Sequence, residues 1–399
     1  MSVNGPHHTA TLLQAIARDV RVITPATTVN QTIELFQQNS SLLALPVMEA
    51  GGLCGIISRR ELFYSHLARP FARELFGRKS VNTLLGTDPL VLPGTMDISS
   101  ALRQLMLCDP QLENDCFGVS LTDGTVAIAV VADLMMAISR SQADLLETLE
   151  RLSSRIRNEV EMARQVQTAL LPATPLHHAG VSVAAGLVNS TEISGDFYDV
   201  FPLDEHRLGL LVADVTGHGV QAGLVTTAAK AGLQILLKHE SLTPAKILGG
   251  INRAILATTQ GKLLMTALAA IIDRHNNTLT VSSAGHPYPY YWSKTDGECH
   301  MINMEPGFPL GFDESAEYHE TTRAFTPGDR LLLFSDGIQE AENSHGEAFG
   351  ERQLQDTLRR EAGSTPVALR DALLADARRF CDQEHFEDDV TLVVAMREA

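Results

Sequence analysis

The sequence predicts a mixed α/β chain built from three successive parts. An α/β unit occurs twice between about residues 20 and 140, a helical stretch without glycine or proline covers residues 141–171, and short strands alternate with glycine turns from residue 181 to 396. A chain of 399 residues is too long for one ordinary core. We therefore predict a tail at 1–19, a regulatory domain at 20–140, a helical linker at 141–172 and a second domain at 173–399.

The first domain is predicted from an internal repeat. The first copy has a helix at 28–38, strands at 43–48 and 53–58 around a glycine turn, and a helix from Arg60. The second copy has a helix at 98–107, strands at 116–121 and 126–131, and a helix from Asp133. Recurrence at about 70 residues indicates one supersecondary unit used twice.

The sequence GIISRREL at residues 55–62 resembles the end of a CBS motif, and two such motifs form a pair. The resemblance implies that Ser58 and Glu61 meet the ribose of an adenine nucleotide. The same spacing also describes a helix capping box, so a purely structural or dimerising role stays open. The second copy has Val130 where the hydroxyl would be and keeps only Asp133.

The linker is predicted to be one amphipathic helix. Its apolar residues recur every three or four positions over about four heptads, as in a coiled-coil seam. These residues are Leu145, Leu149, Leu152, Ile156, Val160, Ala163, Val166 and Leu170. We expect a homodimer through this helix, and the alternative is a single helix packed on a neighbouring domain.

Composition excludes several classes of protein. A net charge of −17 argues against sequence-independent binding of nucleic acid. The longest apolar run, residues 265–272, is far shorter than the ~18 residues that span a bilayer, and the N-terminus lacks a secretory pattern. The five cysteines include no C-x-x-C pair. We therefore expect a cytoplasmic protein with reduced thiols.

Aspartates in the second domain occur where strands begin or end. They lie in ISGDFYD at 193–199, in ADVTGHG at 213–219 after the strand 208–212, in SDG at 335–337 after the strand 330–334, and in EDD at 387–389 before the strand 390–394. Carboxylates are hard ligands suited to Mg²⁺ or Mn²⁺, and close carboxylates repel each other unless cations neutralise them. Two such ions ~3.5–4 Å apart can acidify a shared water. A single Asp-Gly after a strand is more often a turn, so the prediction depends on the series.

This ordered series, together with AGHP at 284–287 and PLG at 309–311, resembles the SpoIIE/RsbU-type branch of the metal-dependent (PPM) protein phosphatases. The resemblance covers residues 161–392 and implies an α-β-β-α sandwich with antiparallel sheets. It implies two Mn²⁺ or Mg²⁺ ions, with Asp214, Asp336 and Asp388 as the catalytic carboxylates. The implied metal ligands are Asp196, Asp214, the Val215 carbonyl, Asp336 and Asp388, with Asp389 as the alternative to Asp388.

Two histidines lie in glycine turns of the second domain. His218, in the Gly-His-Gly turn, is a candidate acid toward the leaving serine oxygen, but a turn position is favoured for it and for His286. The sequence has no C-x5-R loop and no Gly-x4-Gly-Lys-Ser/Thr loop, which disfavours a nucleophilic cysteine phosphatase and a P-loop enzyme. It also offers no obvious arginine beside Asp196 to hold a substrate phosphate.

We therefore expect hydrolysis of phosphoserine or phosphothreonine on a partner protein. By resemblance the partner is a STAS-domain anti-anti-sigma factor, and the CBS pair controls activity through the linker. The alternatives are a non-catalytic module that binds phosphoproteins and a nucleotide sensor that acts through oligomerisation.

Overall fold

The computed structural model describes residues 11–86, 88–217, 219–239, 241–382 and 385–398. Contacts divide the chain into two compact units, which meet in sequence between Ser153 and Ser154.

The first unit contains the predicted repeat. Its elements are α1 (Val29–Gln38), β1 (Ala44–Glu49), β2 (Gly52–Ser58), α2 (Arg59–Glu61), α3 (Ala72–Phe76), β3 (Val91–Pro93), α4 (Ile98–Cys108), β4 (Cys116–Ser120) and β5 (Val126–Val130). The hairpins β1–β2 and β4–β5 are antiparallel, and β3 pairs in parallel with β4. Ile23 forms the equivalent parallel bridge with Val47, so both copies share one topology.

Local sequence explains how the helices of this unit begin. Thr28 and Gln31 form a reciprocal capping box at the start of α1, which satisfies backbone N–H groups that the helix leaves free. The Asp97 side chain accepts the Ser100 N–H at 2.9 Å and caps α4 in the same way. The apolar face of α1, including Ile33 and Phe36, is completely buried against the first sheet.

One helix, α5 (Val131–Leu170), replaces two predicted ones. The helix predicted from Asp133 and the linker helix predicted from residue 141 are continuous, because no glycine or proline separates them. Five of the eight residues of its predicted apolar seam are exposed within this chain, among them Leu149 at 53% and Ile156 at 62% of full accessibility.

The second unit is an α-β-β-α sandwich, as predicted. Its strands are β6 (Leu176–His178), β7 (Val181–Val188), β8 (Asp196–Pro202), β9 (Arg207–Val215), β10 (Met265–Asp273), β11 (Thr278–Ala284), β12 (Tyr290–Trp292), β13 (Cys299–Met301), β14 (Thr321–Ala324), β15 (Arg330–Phe334) and β16 (Val390–Arg397). Its helices are α6 (Val220–Leu236), α7 (Pro244–Thr259), α8 (Asp336–Gln339), α9 (Gly350–Arg360) and α10 (Pro366–Cys381).

The strands form two antiparallel sheets, ordered β14-β11-β10-β9-β8 and β13-β12-β15-β16-β7-β6. Alternate side chains of both sheets interdigitate in a shared core that includes Val212, Leu268, Leu333 and Val393. The opposite face of the first sheet is covered by α6 and α7, and that of the second by α9 and α10. The two sheets therefore present strand ends from different parts of the sequence at one edge of the sandwich.

Candidate active site

Asp196 connects the two sheets at this edge. It begins β8, is 2% exposed, and its Oδ2 accepts hydrogen bonds from the Ser335 hydroxyl at 2.6 Å and the Thr391 hydroxyl at 2.5 Å. Ser335 and Thr391 belong to the other sheet's β15–α8 junction and β16. Burial, followed by the charge of Asp214, raises the pKa of Asp196 well above its ordinary value.

Asp214 lies directly opposite Asp196 in the β8–β9 register. Such cross-strand neighbours have Cα atoms about 4.5–5.5 Å apart, which brings the two carboxyl groups together. Burial and the charges of Asp336 and Asp388 raise the pKa of Asp214 to about 7. The cluster therefore concentrates negative charge that a bound cation would neutralise.

Asp336 and Asp388 approach each other because the backbone at Gly337 carries no side chain. A Cβ atom there would lie 2.1 Å from the Asp389 carbonyl oxygen, so α8 could not pack so closely with any other residue. Burial and the charge of Asp388 raise the pKa of Asp336. Asp388 itself is exposed, and its Oδ1 accepts the Asp389 N–H at 2.8 Å.

Asp389 has a different role from its neighbour. It is 3% exposed, and its Oδ1 accepts the Ser190 N–H at 2.7 Å and the Ser190 hydroxyl at 2.9 Å. Its Oδ2 accepts the Ser194 hydroxyl and the Gly195 N–H, both at 2.7 Å. Four donors occupy the roughly four acceptor positions of a carboxylate. Asp389 is thus a positioning residue for the loop before Asp196, and the alternative metal ligand considered from sequence does not fit this arrangement.

The Val215 carbonyl lies beside another glycine. Val215 donates its N–H to the Gly195 carbonyl at 3.2 Å, and a Cβ atom on Gly195 would lie 3.2 Å from the Val215 oxygen and 2.8 Å from the Gly217 oxygen. Gly195 therefore lets the turn after β9 approach the loop that carries Asp196. This keeps the Val215 carbonyl close to the aspartates.

Gln167 is a site residue that the sequence reasoning missed. It lies near the end of α5, is 8% exposed, and donates its side-chain N–H to the Ser194 carbonyl at 2.7 Å while its Oε1 accepts the Ser194 N–H at 3.1 Å. The sequence offered one signal for it: Gln167 is a polar residue directly after the apolar Val166, in the segment EMARQVQ at residues 161–167. The helix is thereby bonded to the loop that Asp389 also holds.

Glu340 is a second missed residue. Burial, followed by the charges of Asp336 and Asp388, raises its pKa. It is the C-terminal cap residue of α8, one turn after Asp336, a spacing that places both side chains on one face.

The predicted histidines differ in what can be said of them. His218 lies outside the described residues. His286 is 4% exposed, its Nδ1 is 2.8 Å from the Thr266 hydroxyl, and its Nε2 has no partner among the described residues. Burial lowers the pKa of His286 to about 4, so it is neutral at physiological pH. Its position behind β10 supports the structural role favoured from sequence.

The CBS-like residues are divided between two environments in the first unit. Ser58 accepts the Glu61 N–H at 3.0 Å and caps α2, as the structural alternative predicted. Both residues also line a cavity of about 450 Å³. Asp133 does not line it; its Oδ2 instead accepts a hydrogen bond from the Arg18 guanidinium at 2.6 Å.

The donor chemistry of the aspartate cluster fits a hard divalent cation. Burial and mutual repulsion raise the pKa values of Asp196, Asp214 and Asp336, and a cation would remove the repulsion. Within the described ranges, no three His, Cys, Asp or Glu side chains converge closely enough to hold a metal as they stand. The cluster therefore has ligands of the right type, while closing them around an ion requires side-chain movement.

Comparison with known families decides the class of the domain. The sequence model for "Stage II sporulation protein E (SpoIIE)" matches residues 204–398, and the model for the CBS domain matches residues 13–66. Asp214, Asp336 and Asp388 lie inside the matched range, and Asp196 lies just before it.

Individual relatives agree with this assignment. The chain is 27% identical over 252 residues to the phosphoserine phosphatase RsbU of Bacillus subtilis, covering 63% of this chain and 73% of RsbU. It is 27% identical over 242 residues to the phosphoserine phosphatase RsbP of the same organism, covering 60% of this chain and only 57% of RsbP. The SiaA-PP2C domain of Pseudomonas aeruginosa has the same fold, with a TM-score of 0.54, 24% identity, and coverage of 62% of this chain and 98% of that domain.

These findings confirm the predicted SpoIIE-type phosphatase domain and CBS domain. The matched relatives indicate that this domain is of the serine/threonine phosphatase type. No helix in the described ranges is both long and apolar enough to cross a membrane.

Proposed function

We propose that the chain hydrolyses phosphoserine or phosphothreonine on a STAS-domain regulatory protein, using two Mn²⁺ or Mg²⁺ ions. The observation that carries this proposal is the cluster of Asp214, Asp336 and Asp388 on strand ends of two different sheets, with burial and mutual repulsion raising the pKa of Asp214 and Asp336. The phosphoserine phosphatases RsbU and RsbP are its relatives. The STAS partner is inferred from the family resemblance.

The proposed ligands come from four parts of the fold: the start of β8, the end of β9, the start of α8 and the residues before β16. Asp196, Asp214, the Val215 carbonyl, Asp336 and Asp388 would hold the ions. When bound, the ions would supply positive charge to the phosphoryl oxygens and lower the pKa of a water molecule, so that hydroxide is available to attack phosphorus. Ser335 and Thr391 fix one oxygen of Asp196, which leaves the other oxygen for the cluster. No side chain is assigned as a covalent nucleophile.

The test measures hydrolysis of an aryl phosphate and of a phosphoserine STAS-domain protein, with Mn²⁺ or Mg²⁺ and with EDTA. Asp214→Asn should abolish both activities, whereas Asp371→Asn, at an exposed position on α10, should leave them unchanged. Hydrolysis of the aryl phosphate that persists in EDTA or in Asp214→Asn would refute the metal-aspartate site. If phosphoserine protein binds but is not hydrolysed under saturating metal, the non-catalytic alternative is correct.

We also propose that the first unit controls this activity through α5. The supporting observation is that α5 begins directly after the second α/β copy and ends with Gln167 bonded to the Ser194 backbone. A change in the position of its last turn would move the loop that carries Asp196. Clamping α5 with engineered cross-links should alter turnover, and unchanged turnover in cross-linked protein would refute the control.

The exposed seam of α5 supports a homodimer. Leu145, Leu149 and Leu152 are each about half exposed in the single chain, and a second copy would cover them. Leu149→Glu should convert a dimer to a monomer in light scattering. A wild-type protein that is monomeric at micromolar concentration would refute this proposal.

An adenine nucleotide or nucleoside is the proposed ligand of the cavity beside Ser58 and Glu61. The described residues that line it include the carboxylates of Glu61, Asp88, Asp109 and Asp115 but no lysine or arginine. Carboxylates accept hydrogen bonds from ribose hydroxyls and repel phosphates. The affinity of the cavity should therefore fall in the order adenosine, AMP, ATP. Calorimetric titration tests this order, and Glu61→Gln should weaken binding. Absence of adenosine binding would leave the nucleotide-sensor alternative without support.

The five cysteines are free thiols, which supports the proposal of a reducing cytoplasmic location.

A further inference from the structure

Two exposed phenylalanines form a single aromatic surface in the phosphatase unit. Phe308 and Phe312 are 59% and 55% exposed, and their rings stack with centroids 5.0 Å apart and planes 11° apart. They line an open groove of about 410 Å³ together with Pro306, Ala316 and acidic residues. Large apolar side chains that stack on each other in solvent are typical of binding surfaces.

The aromatic pair is held at a fixed distance from the aspartate cluster. Leu310, which lies between Phe308 and Phe312 in the sequence, exchanges backbone hydrogen bonds of 3.0 and 2.8 Å with Met265. Met265 in turn pairs with Val215 on the next strand. Two strand spacings of about 4.8 Å place the Leu310 backbone about 10 Å from that of Val215. The loop that carries the rings therefore lies close to the end of β9, which carries Asp214 and Val215.

The loop that carries the rings is rigid. Asn252, 1% exposed on α7, accepts the Gly311 N–H at 2.7 Å and donates to the Asp313 carbonyl at 2.8 Å. On the other side, Gly307 donates to the Ser283 carbonyl at 3.0 Å, and a Cβ atom on Gly307 would lie 2.9 Å from that oxygen. Because the loop is already ordered, little conformational entropy is lost when a partner covers the rings.

The charge around the groove identifies the partner chemistry. The segment between His300 and Arg323 contains five carboxylates and no lysine or arginine. The carboxylates are those of Glu305, Asp313, Glu314, Glu317 and Glu320, all exposed. A partner surface that presents an apolar side chain next to lysine or arginine complements this groove, whereas an acidic surface is repelled.

From these observations we infer that the Phe308–Phe312 groove is the docking site for the phosphoprotein substrate, engaging an apolar segment flanked by basic residues. This inference rests on the proposed function, since it assigns the protein-recognition surface of the same active site. Substrate recognition by protein contact also accounts for the lack of an obvious phosphate-binding arginine beside Asp196.

The test compares two substrates on the full-length protein with Mn²⁺. The double variant Phe308→Ala/Phe312→Ala should lower kcat/KM for the phosphoserine STAS-domain protein by about tenfold or more, while aryl phosphate hydrolysis stays within about twofold. Ile235→Ala is the matched control, because Ile235 is also an exposed apolar residue, 63% accessible on α6. It lies about 22 Å along the helix from Val220, where α6 begins after the turn that follows Asp214. It should change neither rate.

A charge variant avoids any effect of removing aromatic rings on folding. Glu305→Lys/Glu317→Lys should lower phosphoprotein kcat/KM severalfold, and high salt should reduce the difference from wild type. Phosphoprotein rates that match wild type in both variants would overturn the inference, as would a parallel loss of aryl phosphate hydrolysis. If wild type hydrolyses aryl phosphate but not the phosphoprotein, the proposed protein substrate fails, and the docking site fails with it.

Discussion

Asp214→Asn should stabilise the metal-free protein while it abolishes activity. Burial and the charges of Asp336 and Asp388 raise the pKa of Asp214 from 3.8 to about 7 in the folded state, which corresponds to about 4 kcal/mol against the charged form. Asp214 is partly accessible and its neighbours adjust when it changes, so we expect about half of this, about 2 kcal/mol. For a domain of this size that is a rise of about 4–8 °C in Tm.

The sign of this effect depends on pH. A carboxyl group whose folded-state pKa is raised stabilises the fold when protonated, and that stability is lost as the pH rises from 3.8 through 7. The advantage of asparagine should therefore be largest at pH 7.5 and fall to less than half at pH 5. Divalent cation reverses it, because wild type gains about 2.7 kcal/mol at a metal concentration of 100 Kd and the variant gains less.

Urea unfolding in EDTA and in Mn²⁺ measures both effects. Trp292 is the single tryptophan of the chain and lies on β12, so its fluorescence reports on the phosphatase unit alone. Asp371→Asn should follow wild type under all conditions. If Asp214→Asn is less stable than wild type in EDTA at pH 7.5, or if Mn²⁺ fails to reverse the order, the charge repulsion assigned to the cluster is wrong.

Three further perturbations test other parts of the site. Gln167→Leu should lower kcat about tenfold or more by releasing the Ser194 backbone, whereas the exposed Gln165→Leu should not; equal kinetics in both variants would contradict this. The wild-type protein should lose about 2 kcal/mol of unfolding free energy between pH 7.5 and pH 5 through His286, because its pKa is lowered from 6.5 to about 4 in the folded state. His286→Phe should remove this loss in urea unfolding. An unchanged pH dependence would contradict the prediction. Gly337→Ala should destabilise by about 1–3 kcal/mol and impair activity, since its Cβ meets the Asp389 backbone, whereas Gly363→Ala, where nothing lies within 4 Å, should be neutral in the same melts.

Sequence was sufficient for the parts of the fold that depend on local pattern. Continuous apolar runs at 208–212 and 330–334 predicted β9 and β15, and the residues Ser335-Asp336-Gly337 marked the junction after β15 correctly. The repeated α/β unit could also be predicted from local pattern, because turn glycines and capping residues recur in the same order in both copies. The linker was predicted as a separate helix only because its upstream boundary carries no sequence signal; α5 starts ten residues earlier.

The different roles of Asp388 and Asp389 could not be predicted from the sequence. Both are aspartates in the same motif, and spacing gives no way to tell them apart. The structure separates them because consecutive residues entering a strand point to opposite sides, so Asp388 faces the cluster and solvent while Asp389 turns inward to Ser190 and Ser194. Gln167 was missed for a related reason: its partner, the Ser194 backbone, is 27 residues away in sequence.

The exposed position of Asp388 beside its fully bonded neighbour has a practical consequence. Asp388→Asn removes a charge from the cluster without breaking any hydrogen bond that holds the loop before Asp196, whereas changing Asp389 would leave four donors unpaired. Asp388→Asn is therefore the substitution of choice for an inactive but folded protein. Immobilised on a resin, such a protein would retain phosphorylated clients that the active enzyme releases, and so capture its physiological substrate from cell extract.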